Sequence, residues 1–262
     1  MDLTETVCVI SHRRSGTHLT IDNVIANFSP FSDYQNLDSV LEGKTSGTQD
    51  PVSEIKQAAE AGPVILKSHL LSSLTPYELR PQAEDLVEQI FSEAQIIYVA
   101  RNGLDVMASL FEYMKVFDEG VRSSDFSSFL RSDHSFSDLS LNRSVFWRYH
   151  VESWLDSTYR DQILLVHFER WANNFNELLD ELELHLGRPS RFFRTNMHVK
   201  SDIRIKSLLR RYIPSIMPER TSVELRKGTS GDFENYFSPD DIDFFMEHAG
   251  PALRRLNYNA PT

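Results

Sequence analysis

Val7-Cys8-Val9-Ile10, then Ser11-His12-Arg13-Arg14-Ser15-Gly16-Thr17, then Leu19, Ile21, Val24, Ile25 and Phe28 at helical spacing: this stretch reads as strand, loop and helix. The apolar run has no polar position, as expected of a strand buried on both faces of a parallel sheet. A loop leading from such a strand into a helix over Thr17 to Phe28 aims main-chain N–H groups and the positive end of the helix dipole at one point. Gly16 permits close main-chain approach. Ser15 and Thr17 add hydroxyl donors, and Arg14 adds a forked cation suited to phosphate or sulfate oxygens. The loop predicts an anion site; the competing reading is an ordinary strand-to-helix turn. It is not a nucleoside triphosphatase loop of the G-x-x-x-x-G-K-[ST] kind, because it has no Gly-Lys pair.

Outward from this unit the pattern repeats. Short apolar runs at Val64–Leu66, Ile96–Ala100 and Ile163–Val166 alternate with helical spacings over Asn102–Phe117 and Asn142–Tyr159. Ser238, Pro239 and the acids Asp240 and Asp241 mark a helix start, and Gly250-Pro251 marks its expected stop. The prediction is one α/β domain with a mostly parallel central sheet flanked by helices. Residues 29–62, 118–142 and 195–222 read as irregular insertions, equally lids over a site or solvated connectors.

Sites in such sheets lie beyond the carboxyl ends of the strands. Lys67-Ser68-His69 follows the second run directly. An imidazole there could take a proton from an acceptor, and the ammonium could stabilise charge on a departing oxygen. A lone histidine in that place is more often structural. Arg101, after the third run, and Ser109, in the next helix, could converge on one phosphate, although Arg-Asn-x-x-Asp-Val also fits a plain capped helix. Arg226-Lys227-Gly228 could bind a phosphate through side chains and main chain together, or form a basic surface turn.

Taken together these segments resemble the sulfotransferases that use 3′-phosphoadenosine 5′-phosphosulfate (PAPS). Arg13-Arg14-Ser15-Gly16-Thr17 is similar to that family's [PR]-[KR]-S-G-T loop, with Arg14 where many members have lysine. Lys67-Ser68-His69 is similar to its Lys-[Ser/Thr]-His. Arg101 to Ser109 resembles R-[ND]-P-x-D-x-x-x-S, with Gly103 in place of proline. Residues 226–237 resemble R-K-G-x-x-G-D-W-x-x-x-F, with Phe233 in place of tryptophan. Trp147 to Trp154 resembles W-x-x-H-x-x-x-W, read here as core packing.

The resemblance implies a P-loop-kinase-like fold with lid insertions. It implies His69 as catalytic base, with Lys67 and Arg14 contacting the transferring group. It implies Arg13, Arg14, Ser15, Gly16, Thr17 and His18 around the 5′-phosphosulfate, and Arg101, Ser109, Arg226, Lys227 and Gly228 at the 3′-phosphate. Phe168 stands where cytosolic members often have a tyrosine near the adenine. PAPS is then the co-substrate and adenosine 3′,5′-bisphosphate (PAP) the product, with no metal required. A small-molecule kinase and a catalytically silent nucleotide-binding protein are the alternatives.

Composition narrows the partners. The chain carries 27 basic and 38 acidic side chains, a formal net charge of −11, which disfavours nucleic acid and favours a neutral or cationic small acceptor. Cys8 is the single cysteine, which suits a reducing compartment. No stretch approaches the ~18 apolar residues of a membrane span, and no leader pattern precedes Val7. A cytoplasmic protein without membrane attachment is expected. No self-association motif is evident, so oligomeric state stays open.

Overall fold

A computed structural model describes residues 3–41, 50–136, 139–197 and 230–259. In chain order it runs β1 (Val7–Ser11), α1 (Thr17–Asn27), β2 (Tyr34–Asn36), a 3-10 turn (Leu37–Leu41), α2 (Pro51–Glu60), β3 (Ile65–Ser68), α3 (Pro81–Glu93) and β4 (Gln95–Ala100). Then come α4 (Gly103–Phe117), α5 (Glu119–Ser123), α6 (Phe126–Arg131), β5 (Asp133–Phe136), β6 (Leu139–Asn142) and α7 (Arg143–Leu155). A 3-10 turn (Arg160–Gln162) leads to β7 (Ile163–His167), α8 (Arg170–Asn173) and α9 (Phe175–Leu186). After a further 3-10 turn (Asp232–Asn235), α10 (Pro239–Arg255) closes the described chain.

Five strands form a parallel sheet in the order β2-β3-β1-β4-β7, and β5 and β6 form a separate antiparallel pair. Because strand side chains alternate between faces, the sheet divides the core in two. Cys8, Ile10, Leu66, Ile96 and Tyr98 face one apolar cluster with residues of α2, α3, α4, α7 and α10. Val7, Val9, Ile65, Ile97 and Val99 face the other, with residues of α1 and α9. β1, central in this order, is buried along its whole length, which is why its sequence has no alternation.

Local chemistry sets the helix ends. The Asn102 side chain accepts from the Leu104 N–H at 3.0 Å to start α4, and Asn142 caps α7 through the Val145 N–H at 3.0 Å. Ser238 and Asp241 form a reciprocal capping box with Pro239 in the first turn, as the sequence predicts. The expected stop at Gly250-Pro251 is overturned: α10 runs on to Arg255 with Pro251 inside it. Its last turns bury Ala252, Leu253 and Leu256 in the core, and that burial outweighs the main-chain hydrogen bond lost at proline.

The insertions are less irregular than expected. Residues 29–62 contain the edge strand β2, a 3-10 turn and the Pro-initiated helix α2, which buries Val52, Ile55 and Ala59. Residues 118–142 contain α5 and α6, each capped by an aspartate side chain, and the β5–β6 hairpin. Of 195–222, only 195–197 lie within the described residues. α7 ends at Leu155, short of the expected Tyr159.

Candidate active site

The loop between β1 and α1 is built from unusual main-chain conformations. Arg14 has φ 70° and Gly16 has φ 98°, both left-handed. Gly16 is required twice over, because a Cβ there would also lie 2.4 Å from Cδ2 of Phe168. Inside the loop, the Ser11 and Thr17 hydroxyls meet at 2.5 Å, tying strand end to helix start. Ser15 is buried and Arg13 exposed. The loop thus faces the sheet's carboxyl end with the N-terminus of α1 behind it, the arrangement that holds an anion.

Arg14 reaches across to α4. Its Nε donates to Ser109 Oγ at 3.3 Å, and its guanidinium lies 4.7 Å from the centre of the Tyr113 ring. Arg101, only 8% exposed, donates from Nη1 to the Arg14 carbonyl at 3.0 Å and stacks over Phe168 at 4.5 Å. Arg14, Arg101 and Ser109, far apart in sequence, therefore come together in one patch. Phe168 sits beneath, 4% exposed, between Gly16 and Arg101. In this arrangement it shapes the loop. His18 stands in the first turn of α1, with Nε2 3.3 Å from the Tyr34 hydroxyl of β2.

Lys67 and His69 lie at the end of β3, beside the loop. Ring Nδ1 of His69 is 2.7 Å from the Ser11 carbonyl. A carbonyl only accepts, so Nδ1 carries the proton and Nε2 keeps its lone pair. Burial holds this imidazole well below its ordinary pKa. Lys67, Arg13 and Arg14 push the same way, and the bond to Ser11 opposes them. The imidazole is therefore neutral at neutral pH. Lys67 donates from Nζ to Asn36 Oδ1 at 3.0 Å and lies 4.0 Å from Asp38 Oδ2.

Three features make contacts that the sequence does not disclose. Asp38, 8% exposed, accepts at Oδ1 from the His69 N–H at 2.8 Å and from Ser68 Oγ at 3.0 Å. His150, expected in core packing, is indeed 1% exposed. Yet it also stacks edge-on to His12 at 5.6 Å and shares a 3.0 Å hydrogen bond with the Tyr98 hydroxyl, and burial lowers its pKa to about 3. Asp105, in the first turn of α4, accepts from the Gly231 N–H at 2.8 Å and the Phe233 N–H at 3.1 Å. That contact fixes residues 231–233 next to the helix that carries Ser109. Arg226, Lys227 and Gly228 lie outside the described residues.

One further fastening involves α1. The buried Asn27 side chain accepts from the Thr195 N–H at 2.7 Å and donates to the Thr195 carbonyl at 2.8 Å, while Asn23 Oδ1 accepts from the Met197 N–H at 2.9 Å. Two side-chain amides thus serve the segment as a neighbouring strand would.

Comparison with known proteins identifies the family and the fold. The family model described as "Sulfotransferase domain" matches residues 4–257. Sulfotransferase 1A1 of Rattus norvegicus is 26% identical over 228 residues, covering 83% of this chain and 72% of that protein. Sulfotransferase 2B1 of Mus musculus is 24% identical over 255 residues, covering 91% and 68%. Among solved structures, mouse sulfotransferase SULT7A1 complexed with PAP superposes with a TM-score of 0.59 at 20% identity, over 97% of this chain and 86% of that one. A sulfotransferase from Alicyclobacillus acidocaldarius gives a TM-score of 0.54 at 13% identity, over 98% and 95%. With its family's domain matched along nearly its whole length and its parallel sheet shared with these structures, the chain belongs to the sulfotransferase family and to the enzyme class that family names.

Proposed function

We propose that the protein transfers the sulfuryl group of PAPS to a hydroxyl or amine of a small-molecule acceptor, with His69 as general base. The observation that carries this reading is the 2.7 Å contact between His69 Nδ1 and the Ser11 carbonyl. The Nδ1 proton is committed to Ser11, so Nε2 is free to take the acceptor's proton as the nucleophile approaches sulfur. Lys67 beside it, and Arg14 once it swings from its contacts with Ser109 and Tyr113, are assigned to the transferring and bridging oxygens as these gather negative charge. In-line transfer of this kind depends mainly on positioning and electrostatics.

The residues suit the nucleotide. The loop 11–17 and the start of α1 fit a 5′-phosphosulfate, with Arg13, Ser15, Gly16, Thr17 and His18 around it. The Arg101–Ser109 patch fits a 3′-phosphate, and Arg226, Lys227 and Gly228 are assigned to the same phosphate on motif alone. The mouse sulfotransferase that shares the fold is complexed with PAP, which is consistent with that division of labour. A retinol dehydratase of the same fold is complexed with PAP and retinol, and in a second structure with PAP and androsterone, which supports a small apolar acceptor. The charge of −11 separately favours a neutral or cationic acceptor over an anionic one. Residues 29–62, 118–142 and 195–222 are proposed to border the acceptor. No helix among the described residues is long and apolar enough to cross a membrane, and a cytoplasmic location is part of the proposal.

Calorimetric titration tests the reading. PAP is expected to bind without added metal and more tightly than adenosine 5′-monophosphate, which lacks the 3′-phosphate. A preference for Mg²⁺–ATP would instead favour a small-molecule kinase. PAP binding without transfer to any acceptor would favour a silent nucleotide-binding protein.

A further inference from the structure

Lys67, Ser68 and His69 close β3, yet the group that organises all three lies on another element. β2 runs parallel to β3 with Asn36 paired to Lys67. Directly after it the chain turns into the 3-10 segment Leu37–Leu41, which carries Asp38 inward to 8% exposure. The last ladder pairs of β3 place Ile10 opposite Ser68 and Asn36 opposite Lys67. The His69 N–H lies one residue past the first pair and two past the second, beyond both ladders. Asp38 Oδ1 receives it, at 2.8 Å, together with the Ser68 hydroxyl at 3.0 Å. Ser68 Oγ in turn accepts from the Leu70 N–H at 3.0 Å, which fixes the chain on the far side of His69. Oδ2 faces the Lys67 ammonium at 4.0 Å.

We infer that Asp38 is the positioning residue of this site: its carboxylate holds the main chain of residues 68–70 so that the His69 ring meets the Ser11 carbonyl through Nδ1 and leaves Nε2 with its lone pair. This rests on the reading of His69 as the base. His69 is held at two points, its main chain by Asp38 and its ring by Ser11. If the main-chain hold is lost, the ring-to-carbonyl contact loses its fixed origin, and the neutral imidazole is free to redistribute its proton between the two nitrogens. A charged acceptor makes the hold strong. Its second oxygen keeps Lys67 beside the histidine, so one side chain sets both the base and its cationic neighbour.

The test reads the tautomer directly and needs no acceptor. In protein with ¹⁵N-labelled histidine, His69 is assigned by its absence in His69→Gln, and its ring nitrogens are followed from pH 5.5 to 8 with and without PAP. The native protein is expected to show a single Nδ1–H tautomer. Asp38→Ala is expected to lose that single-tautomer signature while its affinity for PAP stays within about twofold, because the 11–17 loop and the Arg101 patch are not its partners. Asp38→Asn keeps an acceptor oxygen at Oδ1 and is expected to restore the signature, which a general loss of packing would not allow. If Asp38→Ala does not fold, Asp38→Ser, too short to reach the His69 N–H, takes its place. An unchanged His69 spectrum in Asp38→Ala or Asp38→Ser overturns the inference. Failure of the native protein to bind PAP overturns the underlying functional reading instead.

Discussion

The loop at residues 11–17 and the turn at residues 36–41 lie on either side of His69 and hold it in different ways. The loop is continuous in sequence and takes the ring proton through Ser11. The turn lies 31 residues before His69 and takes its main-chain N–H through Asp38. The first is a motif because an anion must be met by successive N–H groups and a left-handed glycine, which fixes neighbouring residue types. The second has no motif, because one buried carboxylate at the end of a three-residue strand serves any turn that brings it there. Local constraint leaves a pattern in sequence, whereas constraint from a neighbouring strand leaves a single letter.

The comparison is broken most directly at the residue the two regions share. His69→Ala is expected to lower turnover by roughly 10²–10⁴-fold with whichever acceptor screening identifies, the usual worth of a general base. Near-normal turnover in a steady-state assay with PAPS would leave both regions supporting a histidine that does no catalysis.

Next in size is Gly16→Ala, which attacks the loop alone. The added Cβ collides with the Phe168 ring at 2.4 Å and sits at φ 98°. Overpacking of about 1–3 kcal/mol and a left-handed penalty of about 1–2 kcal/mol are expected together in urea unfolding, with loss of PAP binding. A stable variant that binds PAP normally would mean that the loop's shape is not what recognises the anion.

Arg101→Lys is a milder change on the loop's other border. The Nη1 hydrogen bond to the Arg14 carbonyl and the stack on Phe168 are both lost. PAP affinity is expected to fall by about 1.5 kcal/mol, roughly tenfold, with little change for adenosine 5′-monophosphate. Equal losses for both nucleotides would assign Arg101 to the loop and not to the 3′-phosphate.

A different readout is stability against pH. The part-buried His69 and the buried His150 are held neutral, with folded-state pKa values below the ordinary 6.5. The unfolded chain takes the proton first, so their contribution is present above about pH 6.5 and is lost as pH falls. Each such group costs about 1.4 kcal/mol per pH unit, for His150 down to about pH 3. His150→Gln should flatten the fall of the thermal midpoint over that window, and an unchanged slope would place the titration elsewhere.

The same division explains how much of the molecule is legible in its sequence. The parallel sheet, four of its five strands and the starts of α1, α4, α7 and α10 follow from apolar runs and capping residues. β2 is not legible, since Tyr34-Gln35-Asn36 is half exposed and lacks an apolar run. The stop expected at Pro251 fails because the apolar residues beyond it bury enough surface to carry the helix through. In the site, Arg14, Lys67, His69, Arg101 and Ser109 are marked by their places after strands and in motifs. Asp38 carries no such mark, and Asp105 and His150 stand in motifs that do not disclose the contacts they make. What those three residues do depends on which distant backbone or ring stands opposite, and that is decided by the packing of whole elements.

The two asparagines of α1 have a consequence for measurement. The amides of Thr195 and Met197 donate to Asn27 and Asn23, side chains on the helix whose first turn follows the 11–17 loop. Their solvent exchange is therefore governed by how firmly that helix is held and not by the sheet. Since a ligand bound only by the folded form slows opening by mass action, these two amides would act as built-in gauges of occupancy. On the proposed reading they would report from the far end of α1 whether PAP fills the loop, with no label placed in the site.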